Sequence, residues 1–288
     1  MSLYIDTHTH LDFSDFDTDR DALLADCVRL GVKRSLLMGV TRGNWERIWQ
    51  LAESSGRYFA AFGLHPLFLD QHQHSDLQHL RERIERHAGD PRCCAVGEFG
   101  LDYFIDNTDR ERQQTLFEAQ LQIAADAQLP ALLHVRRAHA PVIATLKRYR
   151  LRRGGIIHAF SGSYEEAREY IRLGFKLGLG GAATWPQARR MHRVIPRLPA
   201  DSLVLETDSP DMPPAFSNQQ RNTDKNGGGW QHHTGEAHQR TQPDQHEGNT
   251  QQHGDSRFVL GLLTVPDSGF QETAATDQLN NSQGLSRH

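Results

Sequence analysis

The sequence is short of the features that would place it outside a reduced, aqueous compartment. It holds three cysteines, Cys27, Cys93 and Cys94. They form no zinc-type spacing, and the adjacent pair is badly placed for a mutual disulfide, so a reduced, cytoplasmic setting is expected. No apolar run approaches the roughly 20 residues that span a bilayer, and no basic-then-apolar leader precedes the first strand-like residues; neither membrane nor export signal is expected. A large excess of one charge is also missing. The 32 basic and 36 acidic residues give -4, which excludes a strongly basic protein but leaves room for a local basic patch. There is no internal repeat of fixed period.

What the chain does have is alternation. Eight strand-like runs recur between Leu3 and Asp208: LYIDTH (from Leu3), RSLLMGV (from Arg34), YFAAFGLHP (from Tyr58), CCAVGEFGLD (from Cys93), PALLHV (from Pro130), GIIHAFSG (from Gly155), FKLGLGG (from Phe175) and SLVLETDSP (from Ser202). Their apolar residues run consecutively, the pattern of parallel strands covered by helices. Amphipathic stretches lie between them, such as those starting at Asp19, Asn44 and Asp109. The last places Leu116, Ala119, Gln120 and Ile123 at steps of three and four, with Asp109 as a cap. Gly31 and Gly56 stand where helices would end. Eight β-α units predict an α/β fold, a (β/α)8 TIM-type barrel, with an open doubly wound sheet as the other arrangement this pattern permits.

The pattern stops near residue 217. From Asn218 to Arg257 only Trp230 and Ala237 belong to the hydrophobic set. Such a segment buries too little apolar surface to offset the cost of ordering its backbone. FVLGLLTV, from Phe258, is a brief apolar island. The expected organisation is a hydrolase barrel over residues 1–217 and an atypical polar segment over 218–288, largely disordered. Barrel closure would then be incomplete, exposing apolar surface on the first and last strands. A frameshift or aberrant gene end would produce such a switch. His232, His233 and His238 lie in this segment, so the total of 17 histidines overstates any metal signal.

The polar residues at the strand ends carry the functional argument. His8 and His10 are two residues apart, and in a strand such residues share a face. Alone, the pair is a weak signal. Barrel enzymes, however, place their reacting groups at the C-terminal ends of strands. Those ends supply His8 and His10 on the first strand, His65 on the third, Glu98 on the fourth, His134 on the fifth, His158 on the sixth and Asp208 on the eighth. Any one could be an ordinary polar terminus; their convergence points to a divalent-metal site. Imidazole and carboxylate ligands suit zinc, manganese, iron or cobalt, and a carboxylate-rich set accepts magnesium. The donors suffice for two ions sharing Glu98.

The motifs DTHTHLD, GLHP, GEFGLDY, LPALLHVRRAH, IIHAFSG, KLGLGG and LVLETDSPDMP together resemble the TatD family of metal-dependent deoxyribonucleases, most closely its YjjV-like branch, over roughly residues 3 to 223. The resemblance implies phosphodiester hydrolysis of DNA, 3′-to-5′ on single strands, by a water activated by two divalent ions (Mg, Mn, Zn or Co). It assigns His8, His10 and Asp208 to one ion, His134 and His158 to the other, and Glu98 to both, with Asp208 taking the proton of the attacking water. His65 resembles the family histidine near the substrate phosphate. Arg136, Arg137 and His139 lie beside a ligand, where an arginine would either clamp a phosphate oxygen or face solvent. Asp102 and Tyr103 would touch substrate, support the ligands from behind, or serve as turn residues. DNA is the expected partner, with no obligate protein partner evident. The alternatives are a small-molecule amidohydrolase or esterase on the same barrel, and an inactive nucleic-acid-binding or aberrant product owing to the divergent C-terminus.

Overall fold

The structure of the chain, a computed structural model, describes residues 4–215. The segment 218–288, with its expected disorder, the island at Phe258 and the histidines noted above, lies outside the described residues.

Eight strands form one sheet: β1 (Tyr4–Thr9), β2 (Val32–Met38), β3 (Tyr58–Phe62), β4 (Cys93–Asp102), β5 (Ala131–Arg136), β6 (Gly155–Ile157), β7 (Phe175–Leu179) and β8 (Leu203–Leu205). They lie in sequence order and every neighbouring pair is parallel. The ends of β8 and β1 meet. Thr9 bridges Ser209, the His10 N–H donates to the Ser209 carbonyl at 2.7 Å, and the Asp208 N–H donates to the His8 carbonyl at 2.9 Å. A doubly wound sheet would separate β1 from β8, so the barrel is the arrangement formed.

The connecting helices are α1 (Arg20–Arg29), α2 (Trp45–Ser54), α3 (Asp76–Arg86), α4 (Arg110–Ala127), α5 (His139–Tyr149), α6 (Tyr164–Arg172) and α7 (Arg189–Val194). Consecutive apolar residues on a strand face opposite ways, which builds two cores. Met38, Ala61, Ala95 and Leu132 fill the barrel interior. Leu37, Phe62, Val96, Phe99 and Leu133 face outward and pack under helical side chains such as Trp45, Ile48 and Phe117. No α1 residue is fully buried, Ile5 is 47% exposed, and β8 is only half-buried along its length.

Gly31 and Gly56 both stand directly after the C-caps of α1 and α2, as expected; Gly31 is left-handed (φ 101), whereas the chain leaves α2 through an extended Ser55 and Gly56 is not among the positive-φ residues. On α4, Asp109 caps as expected, accepting the Arg112 N–H at 2.9 Å, and Gln120 and Ile123 are buried. Leu116 and Ala119 are only half-buried. The helix instead buries Gln113, Phe117, Leu121 and Ala124 beside them, because the strand ends below offer backbone groups that glutamine can satisfy.

Candidate metal centre

Six strand ends deliver His10, His65, Glu98, His134, His158 and Asp208 to one cleft of about 460 Å³. His8 lies just behind, 1% exposed. Glu98 is the hub. Its Oε2 lies 3.1 Å from His8 Nε2 and 3.7 Å from His10 Nε2, while its Oε1 lies 3.3 Å from His65 Nε2 and 3.2 Å from His134 Nδ1. Asp208 stands across from it, with Oδ1 3.4 Å from Nε2 of both His8 and His10 and Oδ2 3.5 Å from His158 Nε2. Asp208 and its neighbours Ala159 and Met212 all have positive φ, a cost that tends to be concentrated at working sites.

The ring nitrogens are not equivalent. His134 Nε2 lies 2.8 Å from Asp102 Oδ2. A carboxylate only accepts, so that nitrogen carries a proton, and Nδ1, facing Glu98, is the nitrogen whose lone pair a bound cation would take in place of a proton. His158 has a comparable carboxylate behind it, Glu206 Oε1 3.0 Å from Nδ1, in ion-pair contact but without hydrogen-bond alignment, and its Nε2 is turned to Asp208. His65 is reversed. Its Nδ1 accepts the Leu67 N–H at 3.2 Å, so the neutral ring carries its proton on Nε2 and donates toward Glu98 or an incoming anion. Among the described residues the ligand atoms fall into three groups, His8 with His10 and Glu98, His8 with His158 and Asp208, and His65 with Glu98 and His134, and His158 stacks on His8 at 3.6 Å between ring centroids.

The electrostatics express a shortage of positive charge. Burial raises the pKa of Glu98, but His8, His65 and His134 outweigh it and hold the carboxyl well below its usual range. Asp208 is held down in the same way by His158 and His10. Burial lowers His10, yet the Asp208 hydrogen bond and the charges of Asp208 and Glu98 raise it to about 9. His158 rises despite burial because Glu206 and Asp208 face it. Burial and His134 together take His65 down to about 4. Two carboxylates that stay ionised inside a protein need cations. Among the described residues, buried His8 Nε2 and His10 Nδ1 have no hydrogen-bond partner, and His8 Nε2 is aimed between Glu98 and Asp208. A divalent cation with nitrogen and oxygen ligands fits this donor set.

Of the remaining expected residues, Arg136 is exposed and lines the cleft. Asp102 is fully buried and committed to His134 and the Phe104 N–H, and it does not line the cleft. Tyr103 is half-buried under the Arg110 guanidinium, 4.5 Å from its ring centre, and does not line the cleft. His139 bonds Tyr170 Oη at 3.1 Å, away from the cleft.

Several supports escape a reading of strand ends alone. Glu206 accepts the Ala159 N–H at 2.7 Å while facing His158; its place two residues before Asp208 is the same-face spacing that singles out His8 and His10. Asp6 accepts the Thr207 N–H at 3.0 Å and the Thr207 hydroxyl at 2.7 Å, which ties β1 to the end of β8. Asn44 donates to Asp12 at 2.9 Å and accepts the Val40 and Thr41 amides. Gln113 bonds both backbone groups of Asp102, and Gln120 both backbone groups of Leu64, the residue before His65.

A family model described as TatD related DNase matches residues 5–228. The chain belongs to that family. The Escherichia coli K12 relative named uncharacterized metal-dependent hydrolase YjjV is 42% identical over 210 residues, 73% of this chain and 80% of that protein. The crystal structure of YjjV, a TatD homolog, matches with a TM-score of 0.72 at 40% identity, covering 76% of this chain and 86% of that one. A Citrobacter koseri protein named 3′-5′ ssDNA/RNA exonuclease TatD is 31% identical over 212 residues, 73% of this chain and 80% of that protein. This TatD-family chain is thus a metal-dependent hydrolase acting on ester bonds. Among its described residues, no helix is long and apolar enough to cross a membrane.

Proposed function

We propose that the chain is a cytoplasmic deoxyribonuclease removing nucleotides from the 3′ end of single-stranded DNA. Two divalent ions would be held by His8, His10 and Asp208 on one side and by His134 and His158 on the other, with Glu98 shared. The observation that carries this reading is the division of Glu98: its two oxygens face different imidazoles, His8 and His10 from Oε2 and His134 from Oε1. The activity named for the Citrobacter koseri relative supports a polynucleotide substrate, and the three free thiols suit a reduced compartment.

Bound there, such ions would supply Lewis-acid charge at the phosphate oxygens and bring the pKa of a water toward neutrality; magnesium, manganese, zinc and cobalt are the candidates. The chain's own groups do the rest. Asp208, ionised and open to the cleft, accepts the proton of the attacking water. The His65 Nε2–H and the Arg136 guanidinium donate to the phosphate oxygens, where charge accumulates. Asp102 and Glu206 keep His134 and His158 in the tautomers that leave a lone pair facing inward.

The test is cleavage of a short 3′-labelled single-stranded oligonucleotide in EDTA, magnesium or manganese, beside Glu98→Ala. Release of nucleotides that needs metal and disappears in the variant is the expected result. Cleavage in EDTA, or full activity in Glu98→Ala, would refute the two-ion reading; folded, metal-loaded protein that leaves DNA intact would refute the substrate.

A further inference from the structure

Where β4 and β5 end, Arg136, which lines the cleft, stands beside Phe104 and Arg137, two side chains with no part in the hydrolytic steps above. Phe104 lies two residues beyond Asp102. The guanidinium of Arg136 is 3.6 Å from the centre of its ring, and that of Arg137 is 4.5 Å from the same point. Among the described residues, neither arginine has an ion-pair partner, and both are exposed. Arg137 also has a φ of 53, a left-handed conformation that costs energy at a residue with a side chain.

The frame under them is rigid and continuous with the metal centre. Asp102 uses Oδ2 on His134 and Oδ1 on the Phe104 N–H, both at 2.8 Å. The Tyr103 N–H donates to the Arg136 carbonyl at 2.8 Å, extending the β4 to β5 pairing by one bond. The same carboxylate thus holds the His134 imidazole and the backbone of Phe104. Two guanidiniums drawn to one ring repel each other, and Asp102, whose charge acts on Arg136, is already committed to His134 and the Phe104 N–H. A polyanion relieves that repulsion, and a guanidinium lying over an aromatic ring presents a flat outer face on which a base can stack.

We propose that Phe104, Arg136 and Arg137 form a nucleotide subsite that binds the residue next to the scissile phosphate. The base stacks on the Arg136–Phe104 pair and the flanking phosphate pairs with Arg137. The inference rests on the polynucleotide reading above and deepens it: a small phosphate ester would use only the metal centre, whereas a substrate carrying a further nucleotide gains both contacts. The subsite makes the enzyme selective for oligonucleotides over simple diesters.

Two substrates and two variants test it. Bis(p-nitrophenyl) phosphate needs only the hydrolytic centre, and a trithymidylate also reaches the rim. In Phe104→Leu and in Arg137→Ala, the ratio of kcat/KM for the trinucleotide to that for the simple diester should fall about tenfold, mainly through KM, with Arg137→Lys restoring part of the loss. Binding of fluorescein-labelled trithymidylate to EDTA-treated protein, followed by anisotropy, should weaken by a similar factor. An abasic trinucleotide should bind the unmodified protein about as weakly as trithymidylate binds Phe104→Leu. Cleavage of the trinucleotide with ratio and affinity unchanged in both variants would overturn the subsite alone. Turnover of the simple diester with no binding or cleavage of the trinucleotide would overturn the nuclease reading and the subsite with it.

Discussion

Replacing Asp102 by Asn removes a charge while keeping the shape, at a position that is fully buried. Both carboxylate oxygens are committed, one to His134 Nε2–H and one to the Phe104 N–H, and an amide offers only one acceptor. When that acceptor stays with Phe104, its NH2 faces Nε2–H and two donors meet. His134 must then shift its proton to Nδ1, the nitrogen 3.2 Å from Glu98, and forfeits the lone pair a metal would use. When the amide flips, the Phe104 N–H is stranded instead. A lost support behind a ligand histidine costs about 10–100-fold in metal affinity, or about 1.4–2.7 kcal/mol; a stranded buried donor costs about 1–3 kcal/mol. The two routes agree in size. Titration calorimetry of manganese into EDTA-stripped, dialysed protein should show one binding event weakened 10–100-fold and the other within about threefold. Gln113 holds the backbone of residue 102 on both sides, so the loss of stability read by urea denaturation in parallel should not exceed the about 1–3 kcal/mol of one stranded donor. Unchanged affinity for both ions, or equal weakening of both, would refute the reasoning.

Three further outcomes follow from the same supports. A Cβ at Gly178 would stand 2.0 Å from Glu206 Oε2, so Gly178→Ala should push Glu206 off His158 and weaken metal binding about 10–100-fold; the double variant with Glu206→Ala should be no worse than Glu206→Ala alone, and a further loss in the double would show the clash lies elsewhere. Gln120→Leu strands the buried N–H and carbonyl of Leu64, at about 1–3 kcal/mol for each group, which urea denaturation should record as a loss of about 2–6 kcal/mol. In metal-free protein His10 has its pKa raised from 6.5 to about 9. Its contribution to stability is therefore full below 6.5 and lost as pH rises through about 9. The melting temperature in EDTA should fall across that window, and a flat or rising profile would contradict the assignment.

How much of this is legible in the chain depends on whether a feature is local. An apolar run followed at once by a histidine or an acid, as in GLHP, GEFG and LLHV, marks a strand and its reacting end within a few residues, so the eight strands and the residues converging on the cleft can be read directly. Helix endings are less direct. Gln128 and Arg150 take the left-handed position after α4 and α5, where glycine is the usual signal, since a short turn into the next strand can outweigh a strain of about 1–2 kcal/mol. The buried glutamines leave no local trace at all. A glutamine on the inner face of α4 reads as a gap in the apolar stripe, and its partner, the backbone of Leu64, is 56 positions away and has no residue-type signature.

The hardest step is the chemistry of each imidazole. His65, just past the end of β3, and His134, near the end of β5, flank β4 from either side and both face Glu98 Oε1. One presents a proton and the other a lone pair, and what separates them is the partner on the far nitrogen: the Leu67 N–H for His65 and the Asp102 carboxylate for His134. A donor there makes the ring give a hydrogen bond inward; an acceptor there makes it available to a metal. A histidine at a strand end thus declares a candidate, and the group behind it decides between ligand and hydrogen-bond donor.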